Sequence, residues 1–158
     1  MYGPVLSVGL ALGLVLSLSA NVHARDDASL SVVSMLPAAA QTQVIDIRDL
    51  QSCSAGSLPR ARCLPVGHFV DPTGKRIGFH AMRWLLGTIG LSGEETVLVI
   101  GDNATDSQMV GALLHQAGQR RVQMFDKPFV APPSAPSGEP RSMSRETVFI
   151  APMRDDTY

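Results

Sequence analysis

The chain has no excess of either charge. Its 13 Lys and Arg face 14 Asp and Glu, a formal net charge of -1. That balance excludes a nucleic-acid binder driven by bulk positive charge. Charged residues are sparse, at 17% of the sequence, while the 45% apolar share is ordinary for a globular domain and excludes a fully disordered chain. Two cysteines are too few for a disulfide-built miniprotein or a four-cysteine zinc site. No His-x-x-x-His or Cys-x-x-Cys pair occurs, and His68, His80 and His115 are widely spaced, so neither a metal nor another cofactor is expected. Ser107 stands in no Gly-x-Ser-x-Gly elbow, which leaves a serine nucleophile unsupported. No internal repeat is visible, and 158 residues make one domain with little left over.

A full-length membrane span is also missing. Pro4 to Ala20 carries no charged side chain but falls short of the roughly 20 apolar residues a span needs. Val22-His23-Ala24 then offers small residues at the -3 and -1 positions of a cleavage site, so residues 1–24 read as a secretory signal peptide cleaved after Ala24. No Lys or Arg precedes the apolar core. The competing reading is an uncleaved anchor, which would be the chain's contact with a membrane. No Cys follows the run, which argues against a lipoprotein. The expected location is periplasmic or secreted, where paired cysteines oxidise. Cys53 and Cys63 lie ten residues apart, around Gly56 and Pro59. A disulfide there would close a short loop and stabilise the fold by about 2–3 kcal/mol. Two unpaired thiols, one of them reactive, is the rival reading.

Strands and helices alternate along the rest. Residues 25–43 form a lead-in ended near Pro37. Val44-Ile45-Asp46-Ile47 is a β-branched strand, and Arg48 to Pro65 reads as a loop. Phe79 to Ile89 places Phe79, Met82, Leu85, Leu86 and Ile89 on one helical stripe, with Gly90 as its stop. Thr96 to Ile100 is the near-continuous apolar strand of a parallel sheet. Ser107 to Gln116 follows as a helix stopped by Gly118, and Val122 to Phe125 as a third strand. This order implies an α/β domain: a small parallel sheet with helices on both faces. Ala131 to Arg145 carries four prolines, so 130–146 reads as a Pro-rich linker or strap. Residues 147–158 then supply an edge strand or a docked tail.

These fragments, in this order, resemble the rhodanese-like domain family over 44–129. Val44-Ile45-Asp46-Ile47-Arg48 is similar to the family's opening strand with its Asp-x-Arg end. Gly56-Ser57-Leu58-Pro59-Arg60-Ala61 resembles the Gly-His-Ile-Pro-Gly-Ala turn, with Ser57 and Arg60 in place of His and Gly. Leu64-Pro65 resembles the apolar-Pro pair that follows, and Gly118 to Phe125 the entry to the last strand. In active members a Cys follows the central strand and opens a six-residue loop whose backbone N–H groups hold an anion or persulfide. Here the corresponding residues are Gly101, Asp102, Asn103, Ala104, Thr105 and Asp106. Glycine replaces the sulfur-carrying nucleophile, and no side chain can stand in for a thiolate. Asp102 and Asp106 repel the anion that such a loop would attract. Val99 to Ala104 is closer to the silent repeat of two-domain sulfurtransferases.

The resemblance therefore implies an exported, non-catalytic domain. It would act as a binding or accessory module for another exported protein, linked to sulfur or redox metabolism. Its recognition surface would be Gly101–Asp106. The alternative is a thiosulfate-type sulfurtransferase that uses a displaced Cys63 or Cys53. Asp106 is also suited to charge the N-terminus of the following helix. Asp46 and Arg48 are expected to pair at a strand end. Arg60, Arg62, Arg83, Arg120 and Arg121 read as a solvated surface, with a local basic face as the alternative.

Overall fold

The structure is a computed structural model that describes residues 28–37 and 42–154. The expected signal peptide, its cleavage site and residues 155–158 lie outside the described residues. The elements are β1 (Ser29–Val33), β2 (Thr42–Asp46), α1 (Leu50–Ala55), β3 (Arg62–Cys63), a 3-10 turn (Val66–His68), α2 (Phe79–Gly87), β4 (Thr96–Ile100), α3 (Ala104–Ala117), β5 (Arg121–Phe125) and β6 (Glu139–Pro140). They build a six-stranded sheet of order β1-β5-β4-β2-β3-β6, in which every pairing is parallel. This is the expected α/β fold.

β4 sits near the middle because its composition demands it. Val97, Leu98, Val99 and Ile100 are all buried, so both faces of the strand are covered. Alternate side chains feed two cores. On one face, Ile45, Val97, Val99 and Val122 pack with Met82, Leu86 and Ile89 around α2 and with Val110 and Leu114 of α3. On the other, Val44, Leu98 and Ile100 pack with Ala61, Phe125 and Phe129. Asp46 and Cys63 are register partners on that second face, and Cys63 ties it to α1.

Several expectations shift. The lead-in contains an edge strand, β1, paired with β5 from Ser29↔Arg121 to Val33↔Phe125. β2 starts at Thr42 and leaves Ile47 just beyond its end. The expected loop from Arg48 to Pro65 holds both α1 and β3. α1 is six residues long and buries only Cys53, too little for an apolar period to show. Its start is set by Asp49, whose side chain accepts from the Ser52 backbone N–H at 2.9 Å. α2 ends at Gly87 rather than Ile89. α3 begins three residues before the expected Ser107 because Asn103 caps it. Gly118 does stop α3: it has φ +115°, and a Cβ there would meet the Pro152 carbonyl at 2.4 Å. The Pro-rich segment is a strap whose Glu139 and Pro140 extend the sheet beside β3. Beyond it, 147–153 docks without forming a strand and buries Phe149 and Ala151.

Candidate functional site

β4 delivers Gly101 to the carboxyl end of the sheet, where open α/β folds place their ligands. The segment there is short. Gly101, Asp102 and Asn103 form the connection, while Ala104, Thr105 and Asp106 are already the first turn of α3. The expected six-residue loop is thus reduced to three residues by an early helix cap. The Asn103 side chain accepts from the Asp106 backbone N–H at 2.8 Å, and its amide donates to the Asp106 carboxylate at 2.8 Å. Ser107 is buried beneath this turn, its hydroxyl donating to the Asn103 carbonyl at 3.2 Å.

Space at Gly101 is already taken. A Cβ at this position would lie 2.8 Å from Ile47 Cγ1, 3.0 Å from Ile47 Cδ1 and 3.2 Å from Ser107 Oγ. The Gly101 carbonyl accepts from the Phe129 N–H at 2.8 Å. A larger side chain at 101 therefore requires Ile47 to move. The β-branched pattern puts Ile47 inside the first strand and does not show this role. The alternation of Ile45 and Ile47 about Asp46 was the available signal.

Beside this end lies a buried polar network. Arg48 Nη2 donates to Asp46 Oδ2 at 2.6 Å and to the Gly56 carbonyl at 2.6 Å. The Ser57 hydroxyl donates to the same Asp46 oxygen at 2.6 Å. The Asp46 hydrogen bond holds the Arg48 guanidinium's pKa above its ordinary value. The guanidinium also stacks over Phe129, 4.8 Å from the ring centroid. Asp46, Arg48 and Ser57 are all buried and bonded to one another, an arrangement that orders the first turn around Gly56.

Cys53 and Cys63 are joined in a disulfide, with Cα atoms 5.8 Å apart. Both are fully buried. Gly138 passes directly over them: a Cβ there would fall 2.4 Å from one sulfur and 2.7 Å from the other, and its N–H donates to the Cys53 carbonyl at 3.0 Å. The two thiols are thus neither exposed nor free.

The arginines do not make a common basic face. Arg62 is buried and donates through Nη2 to Glu146 Oε1 at 2.7 Å. Arg83 donates twice to the Phe149 carbonyl, and Arg121 to Thr96 Oγ1 and the Glu94 carbonyl. Arg120 pairs with Glu94 at 2.9 Å. These side chains tie the C-terminal segment and strand ends to the body. Among the described residues no group of three or more His, Cys, Asp or Glu is placed to hold a metal ion. No helix among them is long and apolar enough to cross a membrane.

No protein-family model matches the chain. No curated protein matches it either. Among solved structures it is similar to a substituted form of EanB in complex with ergothioneine, at 13% identity and a TM-score of 0.51 over 65% of this chain. A second substituted EanB, in complex with hercynine, matches at 13% identity and a TM-score of 0.50 over the same share. In both cases the match spans 29% of the EanB chain. At this identity the likeness is one of fold.

Proposed function

We propose that this chain is an exported, catalytically silent rhodanese-like domain that serves as a binding or accessory module for another exported protein of sulfur or redox metabolism. The observation that carries the proposal is the filled position at Gly101. The residue at the head of the loop has no side chain, and the volume beside it belongs to Ile47. The two remaining sulfur atoms of the chain's cysteines are buried and bonded to each other, which removes the displaced thiols Cys63 and Cys53 as carriers in the oxidised protein. Export is supported by the apolar run before Ala24 and by this disulfide, which suits an oxidising compartment. The recognition surface is the exposed Asp102 and Asn103 with the first turn of α3, Ala104 to Asp106. Its acidic character suits a basic or hydrogen-bond-donating partner surface better than an inorganic sulfur anion.

The test is sulfur transfer from thiosulfate to cyanide, with and without prior reduction of the protein. No thiocyanate above the protein-free rate is expected in either state. Turnover that appears after reduction and vanishes in Cys63→Ser or Cys53→Ser would overturn the proposal.

A further inference from the structure

The strap that crosses the disulfide is held at a few points. Pro132, Pro133, Ser134, Pro136 and Ser137 are exposed, so these residues bury little against the body. Backbone hydrogen bonds fix the strap instead. Ser57 N–H donates to the Pro136 carbonyl at 2.8 Å, Gly138 N–H to the Cys53 carbonyl at 3.0 Å and Glu139 N–H to the Ala61 carbonyl at 2.8 Å. The chain then continues as β6, which sets Pro140 beside Cys63. Gly138 itself is buried, in a place where a Cβ would fall 2.4 Å from Cys53 Sγ and 2.7 Å from Cys63 Sγ.

Strap and disulfide therefore hold each other. Cys53 and Cys63 are 0% and 1% exposed, so a thiolate has no approach to either sulfur while Gly138 is seated. In the other direction, Cys53 is the one residue that α1 buries. The disulfide fixes α1 to β3, and with it the Cys53 carbonyl to which Gly138 is tied. Reduction replaces a bond by a non-bonded contact of two thiols, which needs more room, and Gly138 fills the adjacent space. A seated strap thus favours the disulfide, and a lifted strap favours the thiols. By linkage the preference is reciprocal.

We propose that Cys53–Cys63 is a gated redox latch: a dithiol reduces it only when the strap lifts at Gly138, and its reduction keeps the strap lifted. With the strap open, one thiolate of the dithiol attacks a sulfur of the pair. The other cysteine leaves as a thiolate and takes up a proton. The second sulfur of the dithiol then displaces the first cysteine, which is protonated in turn, and closes the reductant's own disulfide. Two electrons and two protons pass to Cys53 and Cys63, and the dithiol is oxidised. The released strap leaves the β6 side of β3 unpaired. The latch operates whatever Gly101 to Asp106 binds.

The experiment is reduction by dithiothreitol, with free thiols trapped by iodoacetamide at intervals and counted by mass spectrometry. Amide exchange of the oxidised and reduced protein accompanies it. Gly138 lies outside the left-handed region, so Gly138→Ala acts by steric bulk against the sulfurs. It should be reduced about tenfold faster than the unsubstituted protein. Leu114→Ala loosens the core on the other face of the sheet. Its rate should stay within about twofold, because opening of the strap is local. After reduction of the unsubstituted protein, the Gly138 and Glu139 amides should lose protection while Val110 to Leu114 keep theirs. This last measurement needs no variant and decides the matter even if Gly138→Ala does not fold. An unchanged rate in Gly138→Ala, an equal acceleration in Leu114→Ala, or full protection of Gly138 and Glu139 after reduction would each overturn the proposal. These outcomes are independent of the sulfur-transfer result.

Discussion

On one face of the sheet, α2 and α3 lay Leu86, Val110 and Leu114 against Val97, Val99 and Val122. On the other, a six-residue helix, a disulfide and the chain from Phe129 to Pro140 cover Val44, Leu98 and Ile100. The first cover follows from apolar period, since each helix carries its own buried stripe. The second has no period and depends on tethers. Ser57 N–H donates to the Pro136 carbonyl at 2.8 Å, Gly138 N–H to Cys53 at 3.0 Å, and Glu139 N–H to Ala61 at 2.8 Å. Arg48 pins Phe129 from below. A segment without a repeating apolar pattern can still close a core, provided that specific polar and covalent contacts hold each part of it.

The tethers of the second face carry the largest expected effects. Asp46→Ala leaves the Arg48 guanidinium buried without its counter-charge and is expected to cost about 3–5 kcal/mol in urea unfolding. A loss under about 1 kcal/mol would place the pair with solvent-screened ones and remove it from the list of tethers. Replacing Cys53 and Cys63 together by alanine is the next step, with an expected loss of about 2–3 kcal/mol. Amide exchange sharpens the contrast here. Gly138 and Glu139 should exchange faster in the double variant, while Val110 to Leu114 in α3 should keep most of their protection. Equal loss across both faces would show that the covers are not separable.

The smallest effect concerns the C-terminal segment. Arg62, and after it Ser142, hold the Glu146 carboxyl below its ordinary pKa of 4.5. A lowered folded-state pKa gives stability that is present above pH 4.5 and fades as pH falls through the lower folded value. The thermal midpoint should therefore drop below pH 4.5, and Arg62→Met should flatten that drop. An identical acid slope in the variant would assign the loss to other carboxylates.

How much was legible varies by element. Thr96–Ile100 is read correctly to the residue, because an apolar β-branched run flanked by polar residues admits few alternatives. α3 is correct in kind but starts early, since Asn103 rather than the first apolar residue sets its beginning. α1, β3 and β6 were invisible, being two to six residues long and supported by long-range contacts. At the candidate site, Gly101 and the Asp46–Arg48 pair were recognisable from their places in the chain. The packing of Ile47 against Gly101 was not, because the two residues lie just beyond the ends of different strands, far apart in the chain.

What the sequence determined by itself is therefore local: the apolar strands β4 and β5, the stripe of α2, the glycine stop at 118, and the absence of a thiol at 101. Each depends on residues adjacent in the chain or one helical turn apart. The tertiary structure alone decided that Ile47 occupies the space beside Gly101, that Gly138 seals Cys53 and Cys63, and that a cleft opens beside Gln116. Those outcomes join residues 40 (Arg76 and Gln116) to 85 (Cys53 and Gly138) positions apart, and close packing between distant segments leaves no periodic trace in the chain that makes it.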